Sequence, residues 1–199
     1  MKKTLTFLRI PKNASTSIYS FFGIANTIRN ECLDADNSKY LNVFEPSHCT
    51  LQEAKELLGD YVAELPLLAV VRNPYDRMVS MFFFAKKHNL GQLYDISLDS
   101  FDSFVEGFYK ASEDPDFFHA KNQGDYMKGS DSVTVCRFEN LKNDISSFIS
   151  DNKLPFNMDY FPKLNSTDHS NYKSYYSDKS KNIVKKMWQD DLTSFSYSF

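Results

Sequence analysis

Apolar residues gather along this chain in two kinds of run, and their spacing separates strands from helices. "TLTFLRI" (4–10) is short and rich in β-formers, which predicts a first strand. "PLLAVV" (66–71) is unbroken and too short for most helices, as expected of a strand buried on both faces of a parallel sheet. "SVTVCRF" (132–138) predicts a third buried strand.

Helical spacing fills the intervals. Ile18, Phe21, Phe22, Ala25 and Ile28 share one face, predicting a helix over about 15–29 with Ser15 or Thr16 as N-cap and Gly23 as a weak point. "TLQE" (50–53) is a capping-box pattern, continued by Leu51, Ala54, Leu57 and Leu58. "NPYD" (73–76) starts the next helix, with Asn73 as cap and Pro74 in the first helical position. Tyr75, Met78, Val79 and Phe82 then face inward. Phe101, Phe104, Val105 and Phe108 mark another helix, and residues 141–151 a shorter one. Residues 177–192 read as one last amphipathic helix, with Ile183, Met187 and Leu192 on or near its apolar face. Residues 30–47 show no clear pattern. The alternation of strands and helices predicts a single α/β domain over 1–199 with a mostly parallel central sheet flanked by helices.

Charge narrows the partners. With 26 acidic against 23 basic residues the net charge is -3, which argues against a protein built to coat nucleic acid or another polyanion. Any anion site is therefore local. Cys32, Cys49 and Cys136 show no CxxC spacing, so neither a disulfide framework nor a zinc site is expected. Apolar runs stop short of the roughly 18 residues of a membrane span. The basic start is interrupted at Arg9 and Pro11, too early for a signal peptide. A cytoplasmic location is expected, which makes the N-x-[ST] matches at Asn13 and Asn165 fortuitous.

Two segments carry candidate chemistry. "PKNASTS" (11–17) follows the first strand and enters a helix, where free backbone N–H groups and the helix dipole favour an anion. Lys12 adds a full charge, and the small residues Asn13, Ala14, Ser15, Thr16 and Ser17 allow close approach. This is not a Walker A loop, whose lysine comes last; a plain turn with a solvated lysine is the simpler alternative. "VVRNPYDRMVS" (70–80) follows the second strand, and Arg72 with Ser80 suits a second phosphate. The alternative there is that Arg72 pairs with Asp76 and Ser80 only packs.

Together, "IPKNASTS" resembles the 5′-phosphosulfate-binding loop of sulfotransferases and "VRNPYDRMVS" resembles their 3′-phosphate segment. The chain is most similar to carbohydrate sulfotransferases related to the Golgi chondroitin and HNK-1 enzymes. "HCTLQEA" (48–54), "FFHAKNQGDYM" (117–127), "CRFENLKND" (136–144) and the tail 175–199 resemble further segments of that family, although Ser196 stands where glycine is common. The resemblance implies a fold related to P-loop nucleotide kinases. It implies 3′-phosphoadenosine 5′-phosphosulfate (PAPS) as donor, its bisphosphate (PAP) as product, a carbohydrate or other small hydroxyl-bearing acceptor and no metal. Lys12 would stabilise the leaving group, residues 13–17 would hold the 5′-phosphate, and Arg72 and Ser80 the 3′-phosphate. His48 matches a catalytic histidine of some uronyl-type relatives and is the first candidate base. A loop histidine bonded to backbone is its plainer role. His119, beside Gln123, is the second candidate; His88 reads as a solvated helix end, and His169 completes the set. Ser170 and Lys173 sit in a loop that contacts the donor in relatives. Glu139 reads as structural, and "MFFFA" (81–85) as core rather than an acceptor groove. A P-loop-like kinase and a non-catalytic nucleotide-binding module are the rival readings. Oligomeric state and the acceptor are not legible.

Overall fold

Four strands pair in parallel, in the order β2-β1-β3-β4, in the computed structural model, which describes residues 5–22, 41–42, 48–162 and 170–199. They are β1 (Leu5–Leu8), β2 (Leu41–Asn42), β3 (Leu67–Val71) and β4 (Val133–Arg137). Thr6 is opposite Leu67 across the β1–β3 pair, and Val71 opposite Arg137 across β3–β4. The fold is thus the expected α/β class with a parallel sheet. Contacts group the chain into two compact units, Met1–Val71 with Asp125–Asn165 and Arg72–Gly124 with Ser166–Phe199.

The first unit is the sheet and its cover. Side chains alternate along a strand, so Leu5, Phe7, Leu68, Val70 and Cys136 face one way. They bury against Ile18, Tyr19 and Phe22, at and just after α1 (Ser15–Phe21), and against Ile145, Phe148 and Ile149 of α6 (Leu141–Asp151). On the other face the buried Thr6 hydroxyl donates to the Val62 carbonyl at 2.9 Å. β3 is buried throughout, as its unbroken apolar run requires. β4 corrects the expectation of a third buried strand. Only Cys136 is buried, and Val135 is 40% exposed. The strand lies outermost in the described sheet, and an apolar run does not reveal which strand will be at the edge. Burial, with Asp144 adding to it, pushes the Cys136 thiol up to about 12.

Three local readings also change. Neither Ser15 nor Thr16 caps α1; Ala14 takes the N-cap position, with no side-chain cap. That helix closes at Phe21 rather than near 29, one residue before the Phe22–Gly23 step; residues 23–40 lie outside the described set. β2 falls in the stretch 30–47 that showed no pattern, and two residues are too few to leave one. α2 (Leu51–Leu58) starts as expected: Glu53 N–H donates to Thr50 Oγ1 and Thr50 N–H to Glu53 Oε2.

The second unit is helical: α3 (Pro74–His88), α4 (Gly91–Tyr94), α5 (Phe101–Ala111), α7 (Asp178–Met187) and α8 (Gln189–Ser194). Asn73 caps α3 and Pro74 occupies its first turn, as the sequence predicts. Met78, Val79, Phe82, Phe104, Val105 and Phe108 meet Val184, Trp188 and Leu192 in its core. The predicted single helix 177–192 is in fact two, broken at Trp188 (φ −121°, ψ 38°), with Ile183 and Met187 only half-buried.

The break has a tertiary cause. The Trp188 indole N–H donates to the Ala120 carbonyl at 2.8 Å, and the Arg77 guanidinium lies 4.6 Å from its ring centroid. Arg77, fully buried, donates to the carbonyls of His119 and Lys121, each at 3.2 Å. Asp191 of α8 turns inward, 4.0 Å from Arg77, and accepts the backbone N–H groups of Gln123 (2.8 Å) and Gly124 (3.1 Å). Burial holds its carboxyl above the ordinary aspartate value, against the pull of Arg77 and of the two amides.

Removing one partner from a buried charged set leaves the others desolvated and uncompensated. Asp191→Ala should therefore cost roughly 3–5 kcal/mol of stability, read as a lowered urea midpoint. Asp191→Asn, which keeps one acceptor, should lose less. Equal stability of all three proteins would remove the network from its supporting role.

Candidate functional site

Beyond Leu8 the chain must turn from β1 into α1 across Arg9, Ile10, Pro11, Lys12, Asn13 and Ala14 without a glycine. Lys12 (φ 68°) and Ala14 (φ 59°) both adopt the left-handed conformation, and Asn13 between them does not. Each such residue costs about 1–2 kcal/mol when it carries a Cβ. Alternating hand along successive residues turns their backbone N–H groups toward one concavity, a form that binds anions.

The surrounding contacts hold this strained turn. Asn13 is 1% exposed, and its Nδ2 donates to the Val70 carbonyl of β3 at 2.6 Å. That clamp ties the loop to the neighbouring strand, and it also takes the Asn13 amide out of reach of any modifying enzyme. Ile18 N–H donates to the Ala14 carbonyl at 3.1 Å, starting the helix directly after the turn. Lys12 and Ser15 are half-buried, Ser17 is buried and Thr16 exposed.

His48 joins the same unit. Its backbone is left-handed as well (φ 87°), two residues before the Thr50 cap of α2. Its Nδ1 donates to the Arg9 carbonyl at 2.8 Å. A carbonyl only accepts, so the ring proton of the neutral imidazole is on Nδ1 and the lone pair is on Nε2. The plainer role weighed from sequence, a histidine bonded to backbone, is present. The same bond gives the tautomer that a base acting through Nε2 needs. Arg9 lies three residues before Lys12, so His48 is fastened to the stem of the loop. The Arg9 guanidinium stacks 4.0 Å from the Tyr19 ring centroid. Sequence reading passed over Arg9; its signal was a charge interrupting an apolar strand.

Arg72, Asp76 and Ser80 belong to the second unit. Arg72 follows the last residue of β3 and is 5% exposed. Gln123 grips its backbone on both sides: Arg72 N–H donates to Oε1 and Gln123 Nε2 donates to the Arg72 carbonyl, both at 2.9 Å. The Arg72 Nε donates to Asp76 Oδ2 at 2.8 Å, so the ion pair considered from sequence exists. Ser80, 4% exposed, stands four residues beyond Asp76 on the same helical face. Asn73 accepts the Tyr75 N–H at 3.0 Å, and its Nδ2 donates to the Ser198 carbonyl (2.9 Å) and to the Tyr172 hydroxyl (3.3 Å).

Of the other histidines, His119 and His88 fall among the described residues. His119 lies against Phe118 at 4.0 Å between centroids, with Nε2 3.4 Å from the Tyr94 hydroxyl. His88 is exposed at the end of α3 beside Phe84. His169 lies outside the described residues. Met81, Phe82 and Ala85 are core, as expected. Ser170 donates its N–H to the Tyr175 hydroxyl at 3.1 Å, and Lys173 is exposed. Glu139 sits in the short turn Phe138–Asn140 after β4. Among the described residues no cluster of three or more His, Cys, Asp or Glu is placed to hold a metal ion.

The Asn13 clamp is separable from charge. Asn13→Ala leaves the buried Val70 carbonyl without that donor, at a cost of about 1–3 kcal/mol, measured by thermal unfolding. A variant as stable as the wild type would mean that the loop holds its shape without it.

The family model described as "Sulfotransferase family" matches residues 1–198, the length of both units. No curated protein matches the chain.

Proposed function

The chain belongs to the sulfotransferase family, and on that premise we propose that it moves a sulfuryl group from 3′-phosphoadenosine 5′-phosphosulfate to a hydroxyl of a carbohydrate. The observation that supports this reading is the glycine-free loop at the end of β1, where Lys12 and Ala14 are left-handed and His48 Nδ1 is bonded to the Arg9 carbonyl, a backbone form suited to an anion.

The residues divide the work. The backbone N–H groups of 13–17, with the hydroxyls of Ser15, Thr16 and Ser17, hold the 5′-phosphate. Arg72 and Ser80 hold the 3′-phosphate, which makes attack a positioned, near-unimolecular event. The acceptor oxygen bonds to sulfur as the bond from sulfur to the bridging oxygen breaks. His48 Nε2 takes the acceptor proton. Charge grows on the bridging oxygen of the departing bisphosphate, and Lys12 neutralises it. A sulfuryl group carries less charge than a phosphoryl group, so one ammonium and a ring of amides suffice without a metal.

Donor recognition is tested by ligand pairs. A charge-assisted hydrogen bond is worth about 1.5–3 kcal/mol, and 1.4 kcal/mol is tenfold in affinity. Adenosine 3′,5′-bisphosphate should bind at least about tenfold tighter than AMP by calorimetry, and Arg72→Ala with Ser80→Ala should erase most of the gap. Equal affinity for the two ligands would instead favour a kinase-like site.

Roles in the chemical step are tested by kinetics with labelled donor and a panel of glycans, phenols and sterols. Lys12→Ala should lose far more turnover than bisphosphate affinity, since its work lies in the transition state. His48→Ala should lose about 100-fold or more in turnover with bisphosphate binding retained, and EDTA should leave the rate unchanged. Transfer to phenols or sterols and to no glycan would dismiss the carbohydrate acceptor.

A further inference from the structure

The register between β3 and β4 runs up to Val71, opposite Arg137. Arg72 is the next residue, and a side chain meets its peptide groups as a strand neighbour would. Arg72 N–H donates to Gln123 Oε1, and Gln123 Nε2 donates to the Arg72 carbonyl, both at 2.9 Å. Two facing residues of an antiparallel pair exchange the same two bonds. Gln123 thus does with one carboxamide what a strand does with its backbone.

Filling space does not call for a carboxamide here. Gln123 is fully buried, and a buried amide costs stability unless it is hydrogen-bonded. Methionine would fill a similar volume without that cost. The loop that delivers Gln123 is itself clamped. Arg77 takes the carbonyls of His119 and Lys121, the Trp188 indole takes that of Ala120, and Asp191 accepts the N–H groups of Gln123 and Gly124. The carboxamide therefore reaches Arg72 from a fixed backbone. The other end of Arg72 is held separately, where Nε donates to Asp76 Oδ2 at 2.8 Å. All of these residues belong to one unit of the fold.

We propose that Gln123 is a positioning residue for nucleotide recognition. Set in place by Asp191 and acting through Arg72, it decides how strongly the chain prefers a nucleotide that carries a 3′-phosphate. The proposal rests on the reading that gives Arg72 to that phosphate. A guanidinium fork matches a phosphate by direction as well as by charge. An Arg72 whose peptide groups lose their partner keeps the charge and loses the match.

The test is a double-mutant cycle, with adenosine 3′,5′-bisphosphate and AMP titrated calorimetrically into the wild type, Gln123→Met, Arg72→Ala and the double variant. Gln123→Met should cut the preference for the bisphosphate over AMP by about tenfold. In the Arg72→Ala background the same change should alter that preference by about twofold at most. Gln123→Glu keeps the acceptor for the Arg72 N–H and loses the donor to its carbonyl, so it should show an intermediate loss. It also serves should the methionine variant fail to fold. A lower melting temperature with the preference intact would make Gln123 structural only and overturn the proposal. An equal loss with and without Arg72 would overturn it too, because Gln123 would then not act through the arginine. A wild type with no preference would dismiss the 3′-phosphate reading of Arg72 and the proposal with it. A wild type that prefers the bisphosphate beside a Gln123→Glu variant that prefers it equally would dismiss the proposal alone.

Discussion

A buried carboxylate without good partners is among the costliest groups a protein can hold, and Asp191 is 1% exposed. Its two oxygens take the backbone N–H groups of Gln123 and Gly124. The side chain of Gln123, so placed, grips the peptide groups on both sides of Arg72. Arg77 balances the charge, and its guanidinium collects the carbonyls of the same 119–124 loop. One carboxylate, far along the chain from β3, thus sets the backbone on which Arg72 is mounted. A loop that merely packed on apolar surface would leave Arg72 free to shift by a rotamer. Hydrogen bonds with fixed directions do not.

Strain is met differently in the loop after β1. Three left-handed residues with side chains, Lys12, Ala14 and His48, lie around the end of β1. Glycine would adopt such angles at no steric cost, but a glycine loop is also free to leave them. Here the side chains are uses in their own right: Lys12 supplies charge and His48 a ring nitrogen. The Asn13–Val70 and His48–Arg9 hydrogen bonds hold the conformation that the backbone alone would not choose.

Much of this was legible in the sequence. The apolar run 66–71, the Asn73–Pro74 start of α3 and the Thr50–Glu53 capping box each rest on local chemistry, and local chemistry is what a sequence displays. Lys12, Arg72 and Ser80 stood out for the same reason, being polar groups directly after strands or one face along from them. What escaped notice depends on partners distant in the chain. Asp191 reads as an ordinary surface acid until Gln123, 68 residues away, is found beside it. The helix over 177–192 looked continuous because its periodicity is intact; the demand of Trp188 for the Ala120 carbonyl breaks it. Val135 looked buried because exposure of β4 follows from its place in the sheet order, not from its composition.

The division of the chain has a bearing on synthesis. Each unit is made of two stretches, and the stretches interleave: the sheet unit begins before residue 72 and resumes at 125, the helical unit begins at 72 and resumes at 166. Domains commonly fold in order as they leave the ribosome. Neither unit can do so here. When β3 emerges, its neighbour β4 is still more than sixty residues from being made, and α3 waits longer still for Trp188 and Asp191. A nascent chain carrying half a sheet and half a helical core leaves the apolar faces of both uncovered, and each unit can close only after its second stretch has been made.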